Sequence, residues 1–116
     1  KVKTVDQEVT VEDAVKLMAS NKIGAVIVMS AIRDAVGIFT ERDLMNRVVA
    51  RKMPLSTKIK DVMTQGFQCL QTNDDLADVP SIMLDGNFRH LPVVNGRDVI
   101  GIISIRDVLA YLMSSR

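Results

Sequence analysis

The stretch of sequence that decides the fold is GIFTERD, Gly37 to Asp43, and it returns 64 residues later as GIISIRD, Gly101 to Asp107. The glycine, the first isoleucine, the arginine and the aspartate are identical, and serine replaces threonine. Upstream of these heptads, Asp13 matches Asp78 at an offset of 65 residues, so one residue is lost in an intervening turn. Self-similarity at a fixed spacing indicates a duplicated structural unit. The chain therefore consists of two copies of one unit.

Each copy predicts the same order of elements, namely strand, helix, strand, strand and helix. From Val11 to Met18, apolar residues fall at the i, i+3, i+4 and i+7 positions of a short helix, and Thr10 with Asp13 forms a capping box at its start. Short apolar, β-branched runs between polar residues predict buried strands. The predicted extended segments are residues 3–5, 25–29 and 35–39 in the first copy and 67–70, 91–94 and 99–103 in the second.

Three local signals refine this order. Pro80 interrupts the helix whose apolar stripe starts at Leu76, and an interior proline costs about 3 kcal/mol, so this helix either starts late, near Asp78, or is kinked. The pair at residues 95–96, Asn-Gly, predicts a tight hairpin, because both residue types tolerate a positive φ. Residues 51–56 have the composition of a linker, and Pro54 is expected to end the preceding helix.

The composition fits an ordinary globular core, with 116 residues, 47% hydrophobic and 25% charged, and a formal net charge of +1. Because 15 Lys+Arg nearly balance 14 Asp+Glu, the chain lacks the basic field on which non-specific nucleic-acid binding depends, and no nucleic-acid partner is expected. A single cysteine, Cys69, and a single histidine, His90, exclude an internal disulfide and leave little for a metal site or a catalytic dyad.

No apolar run approaches the roughly 20 residues of a membrane span, and no apolar signal region opens the chain. We therefore expect a cytoplasmic protein with no membrane partner. Because the chain begins with Lys1 rather than Met, we also expect it to be part of a longer protein.

The size of one copy predicts how the copies are arranged. Half of 116 residues is close to the length at which a single hydrophobic core becomes marginal, so each copy is expected to need the other to cover its sheet. The predicted fold is α+β, with two β-α-β-β-α repeats packed about a pseudo-twofold axis. The repeats span residues 1–58 and 59–116, with the boundary near residue 58.

The repeated heptad ends at a predicted helix start, and two interpretations of it stay open. Thr40 with Asp43, and Ser104 with Asp107, have the spacing of a capping box, in which a hydroxyl and a carboxylate satisfy free backbone N–H groups. The same N–H groups and the helix dipole favour a bound phosphate, and the aspartate one turn along can accept the hydroxyl protons of a ribose. The spacing suits a nucleotide without requiring one.

With both heptads, the sequence resembles the cystathionine-β-synthase-like (CBS) domain family, whose domains occur as tandem pairs called Bateman modules. The resemblance covers nearly the whole chain and implies the fold predicted above. It also implies regulatory binding of an adenine nucleotide, AMP, ADP or ATP, with NAD or S-adenosylmethionine as further ligands, in clefts between the two copies. It implies no catalysis, no metal and no required cofactor. The supporting segments besides the heptads are residues 61–64, 75–79 and 89–94.

In the first cleft, the resemblance assigns the ribose to Asp107, and the phosphate to Ser104 and the helix start at Ile105. The other residues expected there contact the base or the phosphates, and they are Thr4, Val5, Arg89, His90, Pro92 and Arg106.

In the second cleft, the ribose and phosphate roles fall to Asp43 and Thr40. Gly24 and Ala25 stand where the second copy has its Arg-His pair, so this cleft lacks that positive charge. We therefore expect the first cleft to bind the nucleotide more tightly. The other residues assigned to the second cleft are Arg42, Cys69 and Leu70.

An alternative function stays open, because the capping residues need no ligand. The chain would then be a structural dimerisation or protein-interaction module. The resemblance also implies a homodimer of paired domains and an effector domain or protein that the module regulates. The candidate dimer contacts, which fit an intramolecular core equally well, are Leu44, Val48, Leu109, Leu112 and Met113. The basic residues near the linker are interpreted as a solvated face, and they are Arg47, Arg51, Lys52, Lys58 and Lys60.

Overall fold

A computed structural model of the chain describes residues 2–32, 34–66, 68–86, 89–96 and 98–114. The chain folds into two compact units that divide at Gln68. Each unit contains a three-stranded sheet with helices, so the α+β class and the duplicated strand-helix-strand-strand-helix order are confirmed. Phe67, which was predicted to open an extended segment, lies outside the described residues.

The first unit begins with strand β1 (Thr4–Asp6), helix α1 (Val11–Asn21), strand β2 (Ala25–Met29) and strand β3 (Ala35–Thr40). Its sheet has the order β1-β2-β3, with β1 parallel to β2 and β2 antiparallel to β3. A short helix α2 (Glu41–Asp43) follows β3 directly and continues as a π-helix over Leu44–Val49. A 3-10 turn at Ile59–Asp61 completes the unit's elements.

The second unit contains strand β4 (Leu70–Gln71), a 3-10 turn (Leu76–Asp78), helix α3 (Val79–Gly86), strand β5 (His90–Asn95), strand β6 (Asp98–Ser104) and helix α4 (Ile105–Ser114). The sheet has the order β4-β5-β6, and its parallel and antiparallel pairings repeat those of the first unit. The pairing of the second and third strands of each unit has a register shift at the equivalent position. It lies between Val28 and Met29 in β2 and between Val93 and Val94 in β5.

Local chemistry explains where the helices begin and end. The Thr10 hydroxyl accepts a hydrogen bond from the Asp13 amide at 3.1 Å, as the capping pattern predicts. The 3-10 turn precedes α3, so Pro80 lies in the first turn of the α-helix, where its missing N–H has no intrahelical partner to lose. The late-starting alternative for this helix is confirmed. The helical segment before the linker ends at Val49, well ahead of Pro54, and Lys52 follows it in the left-handed region with φ +56°.

The hairpin between β5 and β6 is tight, as predicted, but Asn95 belongs to the strand. Asn95 ends β5 and pairs with Asp98, while Gly96 adopts φ +65°, a value that glycine takes without a Cβ penalty. Arg97 lies outside the described residues.

The core of the first unit includes residues from beyond the linker. Val11, Val26 and Phe39 are fully buried there, and Ile59, Val62 and Met63 join the same cluster. Residues 59–66, which we call the lead-in segment, come at the start of the second repeat in sequence yet pack in the first unit. The repeat boundary near residue 58 stays a prediction about the duplication.

The chain around the start of the lead-in segment is tied to the first unit by polar bonds. The Ile59 amide donates to the Val9 carbonyl at 2.8 Å. The Lys58 and Lys60 ammonium groups bond the Glu8 carboxylate at 2.8 and 2.9 Å, which lowers the pKa of Glu8 and raises the pKa of Lys58. These two lysines therefore belong to an ion-pair cluster, whereas the sequence analysis treated them only as part of a solvated face.

Candidate functional site

The helix start of the first unit is a closed capping box. The Thr40 amide and the Thr40 hydroxyl both donate to Oδ2 of Asp43, at 3.0 and 3.2 Å, and the Asp43 amide donates to Oγ1 of Thr40 at 3.2 Å. Asp43 is only 7% exposed, and it is a buried charged residue among the described ones. The capping interpretation of Thr40 and Asp43 is thus confirmed in its geometry.

The second oxygen of Asp43 is also in use. The Thr64 hydroxyl donates to Oδ1 at 2.9 Å, and Nε of Arg47 lies 3.7 Å from the same oxygen. Arg47 also donates through Nη1 to the Met63 carbonyl at 2.7 Å. Asp43 and Arg47 therefore hold the lead-in segment against the first unit, a role that the sequence analysis missed.

The helix start of the second unit has the same capping box, but its aspartate is exposed. The Ser104 amide donates to Oδ2 of Asp107 at 3.1 Å, and the Asp107 amide donates to Oγ of Ser104 at 3.2 Å. Asp107 is exposed, and among the described residues no donor reaches its Oδ1. One carboxylate oxygen is thus available to a hydroxyl group from outside the unit.

The predicted cationic pair lies beside this helix start. The Arg89 carbonyl accepts a hydrogen bond from the Ile105 amide at 2.9 Å, and His90 pairs with Ser104 across the strands. Arg89 is exposed, His90 is half-buried and its neighbour Pro92 is buried. The structure therefore places Arg89, His90, Ser104 and Asp107 at one helix start, and their role in ligand binding stays a prediction.

The matching place in the first unit has no cationic side chain from this strand. The Glu41 amide donates to the Gly24 carbonyl at 3.0 Å, and Ala25 pairs with Thr40. Gly24 and Ala25 therefore occupy the same backbone positions as Arg89 and His90, which confirms the equivalence predicted from the sequence. Arg42 and Arg106, one residue before each aspartate, are both exposed.

Thr4 and Val5 lie in the first unit, where they line an open cavity of about 190 Å³ at the ends of β1 and β2. The sequence analysis did not assign the other lining residues, which come from the ends of β1 and β2 and from the residues after β2. They are Asp6, Met29, Ser30 and Ala31.

Cys69 and Leu70 have different surroundings in the second unit. Cys69 is exposed, and partial burial of its thiol raises the pKa of that group. Leu70 is buried in the core of this unit with Val79 and Leu91. A base could therefore meet Leu70 only through its backbone.

Other site chemistries find no support in the part of the chain that the structure describes. There, no group of three or more His, Cys, Asp or Glu side chains could hold a metal ion. None of the described helices is both long enough and apolar enough to cross a membrane.

Two α+β units, each carrying a hydroxyl and a carboxylate at the start of the helix after its third strand, define a duplicated module. The CBS domain family model matches residues 1–50 and 59–114, so this chain belongs to the CBS domain family and carries two copies of the domain.

Known relatives agree with this assignment. A 17.7 kDa protein from Acidianus ambivalens is 33% identical over 115 residues, which are 97% of this chain and 68% of that protein. The chain spans about half the length of one further curated relative and a fifth of another.

Solved structures share the fold over nearly the whole chain. A protein with CBS domains from Burkholderia ambifaria MC40-6 is 32% identical with a TM-score of 0.93, covering 100% of this chain and 85% of that one. The CBS domain protein PAE2072 from Pyrobaculum aerophilum, solved in complex with AMP, is 22% identical with a TM-score of 0.85 and covers 97% of this chain and 92% of that one. At that identity, the likeness to PAE2072 concerns the fold alone.

Proposed function

We propose that this chain is a ligand-sensing module that binds an adenine nucleotide in clefts between its two CBS repeats and reports the binding to an attached or partner protein. The observation that carries the proposal is the open helix start of the second unit. There, an exposed carboxylate with one uncommitted oxygen stands at a capped helix N-terminus beside Arg89.

Each part of this site suits one part of a nucleotide. The Ser104 hydroxyl and the positive end of the α4 dipole favour a phosphate, while the Ile105 and Asp107 amides already donate to the Arg89 carbonyl and the Ser104 hydroxyl. Oδ1 of Asp107 can accept a ribose hydroxyl proton, and the Arg89 guanidinium adds local positive charge. Since the net charge of the chain is only +1, phosphate recognition depends on these local groups.

AMP is the first ligand to test, because the structure of PAE2072, which has this fold, contains AMP. ADP, ATP, NAD and S-adenosylmethionine share its adenosine part and belong in the same panel. The ligand would act by favouring one arrangement of the two repeats, and an effect of about 1–3 kcal/mol on that equilibrium is typical of regulatory coupling.

We expect Asp107→Ala to weaken nucleotide binding by at least about tenfold, because a hydrogen bond to a charged group contributes about 1.5–3 kcal/mol. The measurement is a thermal-shift screen of the five ligands, followed by calorimetry with the ligand that gives the largest shift. Asp85→Ala, an exposed aspartate on α3, is the matched control and should bind as the unchanged chain does. If none of the five ligands raises the melting temperature, the nucleotide proposal is wrong and the structural alternative gains.

The same calorimetry tests the prediction that the cleft of Asp107 binds the nucleotide more tightly than the cleft of Asp43. Asp43 already accepts bonds on both carboxylate oxygens, so we expect its substitution to reduce nucleotide affinity less than substitution of Asp107. Calorimetry must be done well below the melting temperature of the Asp43→Ala variant. Equal losses of affinity in the two variants would contradict the ranking.

The alternative, a dimerisation module, rests on an exposed apolar face of α4. Leu109 and Met113, which share a face of α4 as residues i and i+4, are 47% and 68% exposed. Of the other dimer candidates from sequence, Val48 is buried in the core of the first unit, while Leu44 and Leu112 pack against the cores of their own units. Exposed apolar side chains on one helix suit a partner surface.

We expect the unchanged chain to form a homodimer through α4, with light scattering giving twice the 12.8 kDa chain mass. The double variant Leu109→Glu with Met113→Glu should shift the mass toward the monomer, because it would bury two unpaired carboxylates in the contact. Ile32→Glu, which changes an equally apolar but more exposed residue in the first unit, should leave the mass unchanged. A monomer mass for the unchanged chain at all concentrations would rule out the homodimer.

A further inference from the structure

The Asp43 carboxylate contacts the lead-in segment through a side-chain hydroxyl of that segment. The Thr64 hydroxyl donates to Oδ1 of Asp43 at 2.9 Å, while Oδ2 accepts from the amide and the hydroxyl of Thr40. Asp43 is 7% exposed, and Nε of Arg47 lies 3.7 Å from Oδ1. A hydroxyl donor therefore occupies Oδ1, in a place that little water reaches.

A hydroxyl that donates to Oδ1 is also the contact that a ribose would make with this aspartate. A threonine hydroxyl supplies one proton for a hydrogen bond, as a sugar hydroxyl does. Exchange of one for the other leaves Oδ1 with a bond of the same kind, so the buried carboxylate keeps its partner. The Thr64 side chain and a bound ribose would therefore compete for the same carboxylate oxygen.

This exchange requires no movement of the lead-in backbone. Thr64 is held by two backbone bonds to Ile38, both with N···O distances of 2.9 Å. The Met63 carbonyl accepts a bond from Nη1 of Arg47 at 2.7 Å. All three bonds use main-chain atoms of the segment, so rotation of the Thr64 side chain to another staggered rotamer breaks none of them. Thr64 is half-buried, so its rotated hydroxyl can bond water.

We propose that Thr64 is an internal competitor of the ribose and keeps the Asp43 site closed at low nucleotide concentration. The inference rests on the proposed function, because it concerns the ribose site assigned to the second cleft. A nucleotide enters by taking Oδ1 from the Thr64 hydroxyl, so its affinity there is lower than the carboxylate alone would give. A residue outside the repeated heptad thus sets the nucleotide concentration to which this cleft responds.

The test is calorimetry with AMP on chains that also carry Asp107→Ala, so that binding reports on the cleft of Asp43. We expect Thr64→Ala to raise the AMP affinity of this background by at least about tenfold, because the ribose no longer displaces a hydroxyl. Thr64→Ser keeps the hydroxyl and should return the affinity toward that of the background. Thr57→Ala is the matched control, since Thr57 is half-buried like Thr64, and it should leave the affinity unchanged.

Urea unfolding without nucleotide checks that each variant is folded. The backbone bonds to Ile38 and from Arg47 do not depend on the Thr64 side chain, so Thr64→Ala should stay folded at the temperature of the calorimetry. Thr64→Val is a second variant that keeps the size of the side chain and removes the donor. It should raise the AMP affinity in the same direction.

The proposal is wrong if neither Thr64→Ala nor Thr64→Val raises the affinity, or if Thr64→Ser raises it equally. It is also wrong if the gain survives when Asp43→Ala is added to the same chain. In each of these cases AMP still binds the unchanged chain, so the proposed nucleotide function stands. Absence of binding of AMP and of the other four ligands to the unchanged chain and to every variant would overturn both proposals, which distinguishes the two failures.

Discussion

Replacing Gly37 with valine is expected to lower the free energy of unfolding by about 3 kcal/mol, while the same change at Gly101 should alter it by less than about 1 kcal/mol. The two glycines occupy equivalent positions of the repeated heptad, so the pair is its own control. Any difference in unfolding free energy between the two variants therefore reflects what packs against each glycine and not the type of residue introduced.

The reason for the difference is the lead-in segment. A Cβ at Gly37 would stand 2.9 Å from Cγ of Met63 and 3.0 Å from the Thr64 carbonyl oxygen. The Met63 side chain can rotate away, but the backbone of Thr64 is fixed by its two bonds to Ile38. Valine at Gly37 must therefore push the segment off the sheet edge or distort β3, and overpacking of this kind typically costs 1–3 kcal/mol.

Urea unfolding of both variants, analysed with a common slope, checks this prediction. Gly37→Ala and Gly101→Ala provide a milder pair in which the same order should appear. Equal stability of the two valine variants would mean that the lead-in segment is not seated on β3 in solution.

Asp43→Ala is expected to lower the free energy of unfolding by about 3 kcal/mol and Asp107→Ala by only about 1 kcal/mol. Both variants lose the carboxylate half of a capping box, which accepts from the Thr40 or Ser104 amide. Only Asp43→Ala also leaves the half-buried Thr64 hydroxyl and the Arg47 guanidinium without their carboxylate partner. The hydrogen bonds that these two polar groups lose account for most of the expected difference in unfolding free energy.

The measurement is thermal or urea unfolding of the two variants without ligand, together with hydrogen exchange at the amides of Ile38 and Thr64. In Asp43→Ala these two amides should exchange faster, because the lead-in segment is released from one of its anchors. Asp43→Asn keeps an acceptor for the Thr64 hydroxyl and should recover part of the loss. Equal destabilisation by the two alanine changes would contradict the structural role assigned to Asp43.

Asp43 and Asp107 occupy equivalent positions in the two repeats but have different roles. Asp43 is buried and fully bonded, so it serves the fold of the first unit. Asp107 is exposed, and no described residue donates to its Oδ1, so this oxygen remains available to a ligand. This supports the expectation that the cleft assigned to Asp107 binds the nucleotide more tightly.

Much of each unit could be predicted because it follows from local chemistry. The strand at residues 25–29 has the predicted bounds, since a short β-branched run between polar residues has few other ways to bury itself. The caps at Thr10, Thr40 and Ser104 follow from hydroxyls placed three residues before an aspartate. Pro80 likewise marks the first turn of its helix.

Other features could not be predicted, because they depend on neighbours distant in sequence. The stretch from Leu44 to Val49 forms a π-helix, which an apolar stripe does not distinguish from an ordinary helix. The roles of Arg47 and Thr64 come from contacts with residues 16 and 21 positions away. No spacing rule connects such residues, so their partners appear only in the folded chain.

By itself, the sequence determined that the chain is a duplicated α+β protein of the CBS family, and it determined the hydroxyl and carboxylate at each helix start. These properties follow from periodicity and from bonds within a few residues. Only the tertiary structure decided that the two matching motifs have different surroundings. The lead-in segment packs on the first unit and buries Asp43, whereas no described residue covers Asp107, because burial and long-range bonding depend on what packs against a residue.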